Sequence, residues 1–142
     1  MSARLHIRIL RQGDERVLDT LAPDVFDDPI DARAAREFVS DPRHRLAVAI
    51  DDDVVVGFVS AVLYVHPDKP APELWINEVG VAPAYHRRGI GRAMLATLVE
   101  RGRSLGCGEA WVLTEDDNAP ARGLYQALGG VESACIMYTI QL

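Results

Sequence analysis

Apolar and polar residues alternate from Leu5 to Leu10 (Leu-His-Ile-Arg-Ile-Leu), the period of a half-buried strand. Asp14 to Leu21 has the spacing of a short helix that Pro23 stops. A second helix is predicted from an Asp31 N-cap through Ala35 and Phe38 to Val39, ending before Asp41-Pro42. Two apolar runs, Arg45 to Ile50 and Val54 to Tyr64, flank the acidic turn Asp51-Asp52-Asp53 and predict a hairpin. A proline-rich loop from His66 to Pro72 leads into a further strand, Glu73 to Val81, where Gly80 points to a bulge or a close backbone approach. Between Gly89 and Leu105 the residues Ile90, Met94, Leu95, Leu98 and Val99 recur at helical spacing, with Gly106 as C-terminal cap. A strand from Ala110 to Thr114, a helix from near Asn118 to Leu128 closed by Gly129-Gly130, and a last strand from Cys135 to Leu142 complete the pattern. That order predicts one sheet with helices on its faces.

Composition narrows the class. The chain has 142 residues, 49% of them hydrophobic, enough for one core without disulfides or a metal. No apolar stretch approaches the roughly 20 residues that span a bilayer, and residues 1–6 lack a signal peptide's apolar centre, so a cytoplasmic protein with no membrane partner is expected. Cys107 and Cys135 lie in no metal or redox motif and are expected to be small buried residues. His6, His44, His66 and His86 show no ligand spacing, so no metal is expected. The net charge of −6, with carboxylates bunched at Asp24, Asp27, Asp28 and Asp31, at Asp51 to Asp53, and at Glu115 to Asp117, disfavours nucleic acid and would attract a small polycation.

The segment Tyr85-His-Arg-Arg-Gly-Ile-Gly-Arg92 joins the end of a strand to the start of a helix. The first amides of a helix lack internal partners and point outward along the positive end of the helix dipole. Gly89 and Gly91 keep side chains off those amides, while Arg87, Arg88 and Arg92 add positive charge, which together make a cradle for a pyrophosphate. A basic turn whose glycines serve backbone geometry alone is the plainer alternative. No Gly-Lys-Ser/Thr follows, and Met94 stands where a dinucleotide fingerprint has its third glycine, so the expected ligand is a different phosphate-bearing cofactor.

His86-Arg-Arg-Gly89-Ile-Gly91 resembles motif A of the GNAT superfamily of N-acetyltransferases, Gln/Arg-x-x-Gly-x-Gly/Ala, with histidine replacing the usual first residue. Asn118-Ala-Pro-Ala121-Arg-Gly-Leu124-Tyr125-Gln-Ala-Leu128-Gly129 is similar to motif B of the same family. The resemblance implies a single α/β (α+β) domain over residues 1–142, with a mixed, mostly antiparallel sheet of about six to seven strands and helices on both faces. It implies acetyl-CoA as cofactor and CoA as product. Main-chain groups of Val79 and Val81 would hold the pantetheine arm, and the loop and helix start at Arg87, Arg88, Gly89, Ile90, Gly91, Arg92 and Ala93 the pyrophosphate. Asn118 would touch the cofactor or cap its helix.

Tyr125 matches the family's general acid, whose phenol can protonate the departing thiolate. Glu78, beside the cofactor strand, is a candidate base whose burial would raise its pKa, and Glu115 is its rival. The tail and Phe26-Asp-Asp28 look like aminoglycoside 3-N-acetyltransferases of GNAT type, which implies an acidic cleft drawn from Asp27, Asp28, Asp31, Glu78, Glu115, Asp116 and Asp117. Another small amine such as a polyamine, an amino-acid derivative or a peptide amine remains open, as does an acetyl-CoA-binding sensor without turnover. A homodimer is suggested by analogy only.

Overall fold

The computed structural model describes residues 4–142. Its elements run β1 (Leu5–Ile9), α1 (Ala32–Ser40), β2 (His44–Asp51), β3 (Val54–Tyr64), β4 (Glu73–Val81), α2 (Ile90–Ser104), β5 (Glu109–Val112) and α3 (Ala119–Ala127), with short 3-10 helices at Glu15–Asp19 and Pro83–Tyr85. Five strands form one sheet in the order β1-β2-β3-β4-β5, the first four antiparallel and β5 parallel to β4. The Asp51 to Asp53 turn closes the β2–β3 hairpin with both Asp52 (φ 51°) and Asp53 (φ 67°) left-handed, the conformation whose twist matches the flanking strands.

Alternation along β2 divides the core. Leu46, Val48 and Ile50 face the layer built by Leu18, Val25, Phe38 and Phe58, under α1. Ala47 and Ala49 face α2, where Met94, Leu95 and Leu98 are fully buried. Each of these three side chains contributes about 1.5–3 kcal/mol by leaving water. The small alanines leave room for the larger side chains of α2. Helices thus cover both faces, as the amphipathic spacing predicts.

The short helix expected at Asp14 to Leu21 forms at Glu15–Asp19 and is of the 3-10 type. Two expectations are corrected. The last strand, 135–142, is not formed: residues 135–142 pair with no strand among the described residues, which show five strands where about six to seven were expected. Cys135 is accordingly exposed, whereas Cys107 is half-buried and burial raises its thiol pKa.

Gly80 is a point of close approach. A Cβ there would stand 2.5 Å from both Phe58 Cε1 and the Val25 carbonyl oxygen, so the segment carrying Phe26 closes directly onto β4. The bulge lies a few residues earlier, where Ser60 and Ala61 of β3 pair with Glu78 and Ile76 and Asn77 is left over. Ser60 Oγ accepts from the Glu78 amide at 3.2 Å and steadies the irregularity.

Candidate active site

Strand β5 pairs with β4 only from Glu73 to Ile76, so the outer edge of β4 is unpaired by β5 from Asn77 onward. Main-chain groups alternate between the two edges of a strand. The Ala82 amide donates to Val56 of β3 at 2.8 Å, and the Glu78 amide also turns toward β3. Val79 and Val81 therefore turn their peptide groups to the open side. The Val81 carbonyl is taken: His86 Nε2 donates to it at 2.8 Å. His86, the residue that departs from motif A, is thus a strap fastening the loop to β4.

That loop has the shape of an anion cradle. Arg87 (φ 61°) and Gly89 (φ 76°) are both left-handed, and α2 begins at Ile90 with no side chain capping its first amides. Left-handed residues alternating with others turn successive N–H groups into one concavity. Gly89 is required by its positive φ, since a Cβ there would meet nothing within 4 Å. Gly91 faces Leu124 and Val81 at ordinary contact distance, toward the gap between α3 and β4. The Arg88 guanidinium lies over the Tyr85 ring at 4.8 Å, and Tyr85 donates from its hydroxyl to Asp51 Oδ2 at 2.7 Å, bracing the loop against the β2–β3 turn. Arg87, Arg88 and Arg92 enter no ion pair among the described residues, and Arg87 and Arg92 are exposed or half-exposed beside Ala93 on the first turn. The residues fit a diphosphate: uncapped amides and unpaired cations at one helix start.

Asn118 caps α3, its Oδ1 accepting from the Ala121 amide at 3.2 Å. Tyr125 projects from α3 into the core layer around α2, half-buried, and burial raises its pKa above the ordinary value of 10.0. Its phenol is therefore protonated at neutral pH, the state an acid needs.

On the opposite face of the sheet, a groove of about 310 Å³ runs between α1 and β3–β4. Phe26 and Phe58 stack at 3.9 Å on its floor, and Asp27, Asp28, Asp31 and Glu78 are its charged lining residues. No Lys or Arg lines it. Asp31 also caps α1, accepting from the Ala34 amide at 2.8 Å. Glu78 is exposed, so the burial expected for it is not there. Glu115, Asp116 and Asp117 lie apart from this groove, in the turn before α3, where the Asp116 carbonyl accepts from Arg122. The structure thus gathers Asp27, Asp28, Asp31 and Glu78 and leaves out Glu115, Asp116 and Asp117.

Phe58 and Ser60 escape sequence reasoning as site residues because in sequence they read as core, and Phe26 entered only through the Phe26-Asp-Asp28 resemblance, with no role of its own. For the β3 pair the available signal is Ser60, a hydroxyl within the apolar run Val54 to Leu63. Among the described residues there is no cluster suited to a metal and no helix long and apolar enough to cross a membrane.

Residues 13–130 match the Acetyltransferase (GNAT) family. An aminoglycoside N(6')-acetyltransferase type 1 of Salmonella typhimurium is 27% identical over 94 residues, covering 64% of this chain and 65% of that enzyme. The N-alpha-acetyltransferase RimI of Mycobacterium tuberculosis is 30% identical over 105 residues, covering 74% of this chain and 63% of the relative. The chain thus aligns with somewhat less than two thirds of these curated relatives. Among solved structures, an aminoglycoside acetyltransferase from an uncultured soil metagenomic sample, in complex with trehalose, superposes with a TM-score of 0.86 at 17% identity, covering 98% of this chain and 97% of that one.

Proposed function

The chain belongs to the GNAT family of acetyltransferases, and from that premise we propose that it moves an acetyl group from acetyl-CoA to an amine of a small polycation, an aminoglycoside ahead of other amines. One observation carries the reading. On strand β4 adjacent residues serve two clefts: Glu78 lines a groove whose charged residues are all carboxylates, and Val79 turns its peptide group to the open edge that leads to the Gly89 cradle. Donor and acceptor sites meeting at one strand is the geometry a transfer between two bound molecules needs.

The family uses acetyl-CoA, which when bound supplies an acyl thioester open to attack by an amine, with a thiolate leaving. The amides of Val79 and Val81 hold an extended ligand along β4 as an added strand would be held, and the uncapped amides of Gly89 to Ala93 with Arg87 and Arg92 hold its diphosphate. A main-chain amide at this edge also donates to the carbonyl oxygen as charge develops there. Carboxylates at Asp27, Asp28 and Asp31 orient a multiply charged amine over the Phe26–Phe58 floor. Glu78 takes a proton from the ammonium, directly or through water, and frees the nitrogen lone pair. Tyr125 gives its phenolic proton to the departing sulfur and recovers one, through water, from the nitrogen as the amide forms. Glu115 lies outside the groove and is the poorer placed of the two carboxylates for this role.

The amine position is the finer question. Tail and Phe26-Asp-Asp28 resemble 3-N enzymes, while the Salmonella relative is a 6'-N enzyme. Thiol release from acetyl-CoA, measured across aminoglycosides, spermidine and short peptides, tests the class, and mass spectrometry or NMR of the product reads the position. A panel in which only peptides stimulate release refutes the polycation reading. CoA binding with no stimulated release refutes the enzyme.

A further inference from the structure

Both tryptophans of the chain stand together, away from either core. Trp75 of β4 and Trp111 of β5 are register partners, their rings stacked at 5.2 Å and within 10° of parallel, and each keeps part of its surface in water. Neither joins the two hydrophobic clusters that hold the sheet between its helices. Aromatic side chains of this size carry the energetics of cores and of binding surfaces, and here no core uses them.

The bulge on β4 decides which way they face. Ser60 pairs with Glu78 and Val62 with Trp75, so three steps along β4 match two along β3. Without the extra Asn77, Trp75 and Glu78 would point to opposite faces of the sheet. With it, both share the face of Ser60, which is the face of the acidic groove. Trp75 therefore lies about 7 Å from Glu78 along the sheet, two residue rises, and the stack extends the groove outward onto β5.

Glu73 and Glu109 are the next register partners on that same face. Like charges directly opposite on neighbouring strands destabilise a sheet, and neither carboxylate enters an ion pair among the described residues. Tyr64 donates to Glu73 Oε2 at 2.6 Å, which holds the Glu73 carboxyl below the usual carboxylate range, while Glu73 in turn pushes Glu109 up. Paired carboxylates beside stacked indoles suit a ligand that offers an ammonium and a flat apolar side together, as an aminated sugar ring does.

We infer that Trp75, Trp111, Glu73 and Glu109 form a second acceptor subsite, which takes another aminated ring of a substrate whose reacting amine lies at Glu78. The inference rests on the acetyl-transfer reading above and makes the number of rings a determinant of specificity. A one-ring amine fills the groove alone, and a linear polyamine has charge but no ring to lay on the indoles.

Because the chain has no other tryptophan, intrinsic emission reports on this subsite directly. Three-ring kanamycin should change that emission saturably. By calorimetry the parent should hold kanamycin at least tenfold tighter than one-ring 2-deoxystreptamine. Trp111→Ala and Glu109→Gln should each erase most of that margin by weakening kanamycin, with CoA affinity as the check on folding. Glu109 is exposed and its replacement relieves a like-charge contact, so this second variant keeps the fold if the first does not. Silent emission, equal affinity for the two amines in the parent, or a margin that survives in folded variants would overturn the subsite, even with acetyl transfer intact. Saturable kanamycin binding that depends on Trp111 and Glu109, with no acetyl group transferred, would support the subsite and sink the transfer reading instead.

Discussion

Replacing Gly80 by alanine places one methyl group where two neighbours already stand. The new Cβ would lie 2.5 Å from Phe58 Cε1 and 2.5 Å from the Val25 carbonyl oxygen, against the 3.5–4.0 Å or so of a relaxed contact. About 1 Å must be found. The Phe58 ring is held by its stack on Phe26 at 3.9 Å, and the other neighbour is backbone beside Val25, a residue only 4% exposed. Overpacking of this kind costs about 1–3 kcal/mol, and the rigidity of both neighbours puts Gly80→Ala in the upper half of that range. For a chain of this size, about 2 kcal/mol lowers Tm by roughly 6–8 °C. Gly123→Ala is the control of opposite sign. It lies inside α3 with nothing within 4 Å of a new Cβ, so gained helix propensity should raise stability by about 0.5–1 kcal/mol. Urea unfolding monitored by circular dichroism, with the slope unchanged, reads both. Because the displaced segment leads into Phe26 and Asp27, the acceptor KM of Gly80→Ala should rise while CoA affinity holds. If Gly80→Ala unfolds at the same urea concentration as the parent, the packing argument at β4 is refuted.

Tyr125→Phe should lower kcat at least about tenfold with little change in CoA affinity. Since burial raises the Tyr125 pKa, its protonated form is complete below the ordinary tyrosine value and is lost only as pH climbs past it, so the parent should show an alkaline fall in kcat above pH 10 that the variant lacks. An unchanged kcat would remove Tyr125 from the chemistry. Gly89→Val should raise the CoA Kd at least about tenfold in calorimetry, because a β-branched residue resists φ 76° and the cradle must reshape; retained affinity would put the diphosphate elsewhere. For the acidic groove, the acceptor KM should climb severalfold between low and high salt, and Glu78→Gln should lower kcat while flattening that response. A KM indifferent to salt would point to a neutral acceptor.

Much of this protein was legible along the chain because the controlling forces are local. The apolar run Val54 to Tyr64, the strand pattern Glu73 to Val81, the Asp31 cap and the helical spacing of Ile90, Met94, Leu95 and Leu98 each act over a few residues, and those elements formed where the pattern put them. The cradle at Arg87 to Ala93 was legible for the same reason, since a strand end, a left-handed glycine and a helix start are adjacent in sequence. Pairings across the fold were not. Which carboxylates share a groove depends on how α1 sits over β3 and β4, so Asp27, Asp28, Asp31 and Glu78 converge while Glu115 to Asp117 do not. His86 shows the same limit, since its attachment to Val81 follows from the path of the loop rather than from its place in a motif. The tail marks the boundary most sharply. Its alternation specifies a strand, but a strand needs an edge to pair with, and residues 135–142 meet no such edge among the described residues.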